Sequence, residues 1–199
     1  MKKMIISAAL VVLSAASAYA AGYDDFVKEG NAAFRAGRTD DAIESYSRAI
    51  SAEPKKGGDI YNLRGMLYKQ KGLHDLAARD FSRAIELDPE GAEMYLNNRA
   101  DTYGQLGKLE LAVKDYSGVV KLNPGSEEGY TGRGKALLFL GKYSGAVKDL
   151  TKAIEINPAS ETAHSFRAMA YEKLGQKAKA KADREKAKTL GAPRGQGYH

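Results

Sequence analysis

The chain of 199 residues contains no cysteine and no tryptophan. Without cysteine there is no disulfide framework, no thiolate nucleophile and no cysteine-type zinc site. The cysteine that a bacterial lipoprotein signal needs at its cut is missing as well. Histidine is scarce: His74, His164 and His199 are the only three, and none stands at a metal-ligand spacing from another histidine or a carboxylate. Each is read as a packing or surface residue. No nucleophile elbow and no carboxylate dyad marks the chain, so nothing in it points to an enzyme, a metal or a cofactor. Long apolar runs are confined to one place, Met4 to Ala16.

That run has the form of a secretory signal. Lys2 and Lys3 make a positive start, the apolar run is too short to span a bilayer stably, and Ala18-Tyr19-Ala20 is a small-x-small cleavage pattern. Residues 1–20 are therefore expected to be removed after Ala20, and the compact signal points to the periplasm. An uncleaved anchor is the weaker reading. Charge is unevenly spread over the rest. Residues 21–160 carry 20 basic and 21 acidic side chains, whereas residues 161–199 carry 9 basic and 4 acidic. The basicity belongs to the C-terminal end.

What is present is periodicity. Only five prolines occur, and four of them, Pro54, Pro89, Pro124 and Pro158, lie 35, 35 and 34 residues apart. A fixed spacing of this size signals stacked supersecondary units. Five units share one frame: 23–54, 58–89, 93–124, 127–158 and 161–190. In each, a first amphipathic helix stops at a glycine, Gly37, Gly72, Gly107, Gly141 and Gly175, because glycine accepts the left-handed conformation that closes a helix. Seven residues earlier stands Gly30, Gly65, Ala100, Gly134 or Ala168, and five residues later Ala42, Ala77, Ala112, Ala146 or Ala180. Small side chains at both places let two helices approach closely. Tyr46, Phe81, Tyr116 and Leu150, followed by Ala49, Ala84, Val119 and Ala153, complete the buried stripe of the second helix. Proline then ends it.

This pattern resembles the tetratricopeptide repeat, a helix–turn–helix unit of about 34 residues. The second unit carries its signature most fully, in Gly65, Tyr68, Ala77, Phe81, Ala84 and Pro89. The departures are Ala33 and Leu137 where tyrosine is usual, and Arg184 at the aromatic position of the last unit. The resemblance implies an all-α, right-handed superhelical solenoid of antiparallel helix pairs over residues 21–190. The Ala/Lys-rich segment 177–190 reads as a polar cap. Residues 191–199, rich in glycine and bearing Pro193, are expected to be disordered.

Arginine precedes the small residue in units two to five, and an aspartate recurs on the second helix. Pairing within each unit leaves none unmatched: Arg64 with Asp80, Arg99 with Asp115, Arg133 with Asp149, Arg167 with Asp183. A structural tie is the reading preferred over a ligand site, since the guanidinium fork suits bidentate binding of a carboxylate. Unit one has Glu29 and Ser45 at these places.

Gly129 to Lys135 matches the first seven letters of a phosphate-binding loop, but Ala136 replaces the required hydroxyl and no strand precedes it. Nucleotide binding is excluded on that ground. The lysines of 177–188 are set in a helix without a large apolar face, which argues against membrane insertion. They read as a solvated cap, with an anionic partner surface as the alternative. They lack interleaved aromatics, which argues against nucleic acid.

The resemblance further implies a concave groove lined by the first helices. It would present Asn31, Phe34 and Arg35 from unit one; Asn62, Met66, Lys69 and Gln70 from unit two; Asn97, Asp101 and Gln105 from unit three; Thr131, Lys135, Leu138 and Phe139 from unit four; and Ser165, Met169 and Lys173 from unit five. The carboxylate clamp of chaperone-tail-binding members is not met, with Val27, Leu63, Met94 and Asn98 at four of its positions. The expected function is capture of a protein or peptide segment in this groove. The alternative is a structural or assembly subunit that works through its convex face or its ends, as a homo-oligomer. The mature protein is expected to start at Ala21 when sequenced from an osmotic-shock fraction; full-length chain retained in the inner membrane would overturn export.

Overall fold

The computed structural model describes residues 22–191, which form ten helices and no strand. They are α1 (Tyr23–Arg35), α2 (Thr39–Ala52), α3 (Gly58–Gln70), α4 (His74–Leu87), α5 (Ala92–Gln105), α6 (Leu109–Leu122), α7 (Glu127–Phe139), α8 (Tyr143–Ile156), α9 (Glu161–Lys173) and α10 (Lys177–Gly191). Odd-numbered helices are the first of each unit and even-numbered ones the second. Residues 1–21, which include the expected signal, and residues 192–199 lie outside the described residues, and Gly191, expected in the tail, ends α10. None of the described helices is long and apolar enough to cross a membrane.

The hairpin within each unit is closed by its glycine. Gly72, at φ +75°, is one of five hairpin glycines in the left-handed region, Gly57 between units one and two is a sixth, and no other residue type among those described has a positive φ. Beyond each glycine the next amide N–H donates to a carbonyl five residues back, as Leu73 does to Tyr68 at 2.9 Å and Lys108 to Tyr103 at 2.8 Å. This satisfies carbonyls that a helix end leaves orphaned.

Close approach of the paired helices follows from the small residue on the first. A Cβ on Gly65 would stand 2.8 Å from Phe81 Cε1, and one on Gly134 would stand 2.7 Å from Leu150 Cγ. The large side chains that fill these gaps, Tyr46, Phe81 and Leu150, are wholly buried. Units then stack by an apolar stripe on the second helix, read as Ile43 and Ile50, Ala78 and Ile85, Val113 and Val120, and Val147 and Ile154 along the chain. Ile43, Ile85, Val113, Val147 and Ile154 pack against the buried clusters. In α10 the same register holds Lys181 and Lys188, both exposed, so that end face is polar.

Each second helix packs on the first helix of the next unit. Consecutive first helices also touch, α3 with α5, α5 with α7 and α7 with α9, whereas second helices make no comparable contact with one another. The stack therefore curves with its first helices inside, giving a superhelical fold with a concave first-helix face.

The two glycine environments separate packing from propensity. Gly65→Val is expected to destabilise by about 2 kcal/mol or more, since the ring of Phe81 cannot yield in a filled core. A Cβ on Gly104 meets nothing within 4 Å, so Gly104→Ala is expected to stabilise by up to ~1 kcal/mol through helix propensity alone. Urea denaturation of the two variants checks both signs.

Candidate functional site

The concave face is held in shape by a repeated polar latch behind it. Arg64 donates from Nε and Nη2 to Asp80, both at 2.8 Å. Arg99 does the same to Asp115 at 2.7 and 2.9 Å, Arg133 to Asp149 at 2.6 and 2.8 Å, and Arg167 to Asp183 at 2.7 Å twice. The four aspartates are buried, between 4% and 6% exposed. Each pair is thus a bidentate, charge-assisted tie between the two helices of one unit.

A third contact was not foreseen from the sequence. Nη1 of each arginine donates to a hydroxyl on the second helix of the preceding unit: Ser47 at 2.9 Å, Ser82 at 2.9 Å, Ser117 at 3.3 Å and Thr151 at 3.1 Å. The three serines in turn donate to a carbonyl four residues back on their own helix, each at 2.7 Å. One guanidinium therefore joins three helices and two units. The signal was legible: Ser or Thr follows Tyr46, Phe81, Tyr116 and Leu150 in every unit that has a successor.

Burial works against the charges on Arg64 and Arg99, but the hydrogen bonds and charge of Asp80 and Asp115 outweigh it and raise each guanidinium pKa above its ordinary value. On Arg133 and Arg167 the carboxylate hydrogen bonds dominate, with the same result. In unit five His164, buried, places Nδ1 2.9 Å from Asp183 Oδ1. Burial opposes the Asp183 charge, yet Arg167 and His164 together hold its carboxyl below the usual range. Unit one has no latch; Glu29 there meets only Arg48, at 3.4 Å and in the open.

In the groove, several expected residues are spent on internal contacts. Leu138 is a correction: at 5% exposed it packs with Ala146, Leu150 and Phe166, because it lies one helical turn beyond Gly134 on the inward face. Asn62 is a second: at 4% exposed, its Oδ1 accepts from Asn98 Nδ2 at 3.0 Å, bridging units two and three instead of facing a partner. Asn31, half-buried, accepts from the Tyr46 hydroxyl at 2.9 Å, and Thr131, also half-buried, donates to Glu127 at 2.8 Å. Lys69 is paired with Asp101 at 3.0 Å, and the Tyr116 hydroxyl donates to the same carboxylate. Asn97 and Ser165 are half-buried.

Phe34, Arg35, Met66, Gln70, Gln105, Lys135, Phe139, Met169 and Lys173 remain exposed. Phe139 is 55% exposed, with its ring edge-on to Phe166 at 6.4 Å between centroids. Met94, 51% exposed, was not among the expected groove residues; it stands with Met66, Asn97 and Glu128 around a shallow depression that spans units two to four. Ala100, Asp101, Lys135 and Phe139 surround a second, smaller cavity between units three and four. Among the described residues no cluster of three metal-binding side chains occurs.

A curved stack of helix hairpins, tied unit to unit and exposing apolar and amide side chains along its inner face, defines a helical-repeat solenoid. Family models agree. Tetratricopeptide repeat models match residues 27–92, 62–127 and 162–190, and a TPR repeat model matches 136–175. The chain belongs to the tetratricopeptide-repeat family. No curated protein matches it in sequence. Among solved structures, a crystal structure of MamA protein superposes with a TM-score of 0.78 at 21% identity, over 84% of this chain and 91% of that one. MamA from residue 41 to its end, from Desulfovibrio magneticus RS-1, gives 0.79 at 15% identity over 84% and 94%. YrrB, described as a TPR protein with an unusual peptide-binding site, gives 0.74 at 18% over 85% and 87%. At these identities the likeness is one of fold.

The latch should dominate the energetics. Arg99→Met leaves the Asp115 carboxylate buried without its partner and is expected to cost about 3–5 kcal/mol. Ser82→Ala removes one hydrogen bond to the same guanidinium and is expected to cost about 1–2 kcal/mol. Thermal and urea melts of the two variants measure the ratio; equal, near-zero losses would show the ladder to be idle.

Proposed function

We propose that the protein is an exported interaction module that binds a segment of a partner protein in its concave groove. The observation that carries this reading is the row of exposed apolar side chains on that face, Met66, Met94, Phe139 and Met169, each between 40% and 55% exposed. Single exposed apolar side chains are ordinary, but a series of them along one concave face marks an interaction surface. Methionine adapts its shape to varied partners, and aromatic side chains anchor interfaces. Gln70, Gln105 and the amide of Asn97 lie among them and suit an extended backbone. YrrB, similar in fold, is described as having a peptide-binding site, which supports a peptide ligand for this groove. Export rests on the features of residues 1–20.

A second reading, a structural or assembly subunit, has its own support. Leu76 and Leu111, 39% and 42% exposed, occupy the same register of α4 and α6, on second helices outside the groove. Unit one carries seven acidic and four basic side chains while α10 is lysine-rich, so the two ends are opposite in charge.

Tagged mature protein cross-linked in intact cells identifies the partner, and the double variant Met66→Asp, Phe139→Asp tests its site. Both side chains are exposed, so the variant is expected to keep the wild-type circular dichroism and melting temperature while capture of the partner falls by about tenfold or more. Capture that survives would move the interaction to the convex face or the ends.

A further inference from the structure

We propose that the groove contains one side-chain subsite, at the junction of units three and four, which takes a single apolar residue of a bound peptide with an acidic residue beside it. The inference rests on the groove reading and adds the chemistry of its ligand.

The subsite is created by two missing side chains. Two register positions flank each unit junction, three residues before the turn glycine on one first helix and nine before it on the next. These are Phe34 and Leu63, Lys69 and Asn98, and Leu138 and Phe166 at the other three junctions. At the junction of units three and four both are glycine, Gly104 and Gly132. A Cβ on Gly104 would meet nothing within 4 Å. A Cβ on Gly132 would stand 2.3 Å from Tyr116 Cζ, so the tyrosine ring is packed against that bare backbone. The gap that results is a cavity of 170 Å³.

Its floor is apolar, and Asp101, Gln105 and Lys135 make the rest of its lining polar. Ala100, Ala112 and Ala136 and the Tyr116 ring form the floor, and Phe139, more than half exposed, stands at the rim. An apolar cavity of roughly this volume, ~150 Å³, accommodates a benzene ring. One leucine, methionine or phenylalanine side chain fits the space; an extended backbone does not.

The rim decides the neighbouring residue. Asp101 lines the cavity but is already neutralised: Lys69 pairs with it at 3.0 Å and Tyr116 donates to it. Lys135, on the opposite helix, is exposed and makes no ion pair among the described residues; its ammonium lies 5.4 Å from the centroid of the Phe166 ring. Of the two charged side chains that line the cavity, Lys135 is the one left without an ion pair among the described residues. A carboxylate one or two positions from the inserted residue completes it, whereas a lysine or arginine there is repelled.

The test uses a phage-displayed library of random dodecapeptides panned against the purified chain. Enriched sequences are then synthesised with a fluorescein label and measured by anisotropy. They are expected to share one Leu, Met or Phe with Asp or Glu within two positions. Gly104→Phe, which plugs the cavity from a site with room for a ring, is expected to weaken them about tenfold or more, while Gly104→Ala leaves affinity within about threefold. Lys135→Glu is expected to turn the enriched flank from acidic to basic, a readout that holds even if the phenylalanine variant melts early. Peptides that are lost with Met66→Asp but bind Gly104→Phe as they bind wild type overturn the subsite and leave the groove standing. So does an enriched basic flank on the wild type. Peptides indifferent to every one of these changes, or no enrichment at all, overturn both.

Discussion

The structure depends on one guanidinium used four times. Each latch arginine binds the carboxylate of its own unit with two N–H groups and a hydroxyl of the preceding unit with a third. A hairpin of two helices this short buries too little apolar surface to be stable alone, so a repeat protein lives by its nearest-neighbour interfaces. The latch makes each interface directional. The apolar stripe of a second helix would tolerate sliding, but a planar fork with partners on two units accepts one register. The cost of burying the aspartates is offset because every carboxylate oxygen is engaged.

The departures from this frame fall at the ends. Among the described residues no repeat unit precedes unit one, and Glu29 stands there at the place of the latch arginine. Among the described residues no repeat unit follows unit five, and the stacking stripe becomes Lys181 and Lys188. Its Asp183 gains His164 as a second partner. At one interior junction the packing itself relaxes: Gly104 and Gly132 leave a gap on the concave face where the other junctions carry side chains at the same two positions. In a chain built from near-copies, the site at which one copy withholds its side chains is the site available for a ligand.

Much of the architecture was legible in the residues because it is governed by local rules. Left-handed glycines, small residues at the crossing and prolines at the exits act within one unit, and repetition multiplied each signal. The pairing of Arg64, Arg99, Arg133 and Arg167 with aspartates also followed, since only pairing within a unit leaves no charge over. The groove was harder. First-helix periodicity separates inward from outward, but several residues read as outward are consumed by contacts across unit boundaries. Leu138 sinks into the core, Asn62 bonds Asn98, and Lys69 neutralises Asp101. Those partners lie on a neighbouring unit, 36 residues away for Asn98 and 32 for Asp101, beyond anything a single-unit pattern reports.

By itself, then, the sequence determined the five-unit helical stack, its superhelical class and the intra-unit ties, because these follow from spacing along the chain and the conformational limits of glycine and proline. The tertiary structure alone decided how the units lock to each other and which concave residues stay free. The serine and threonine hydroxyls become latch partners, and the two glycines become a cavity, only once curvature brings neighbouring first helices together. Those are properties of distance in space, set by the angle between units, and no single stretch of the chain encodes that angle.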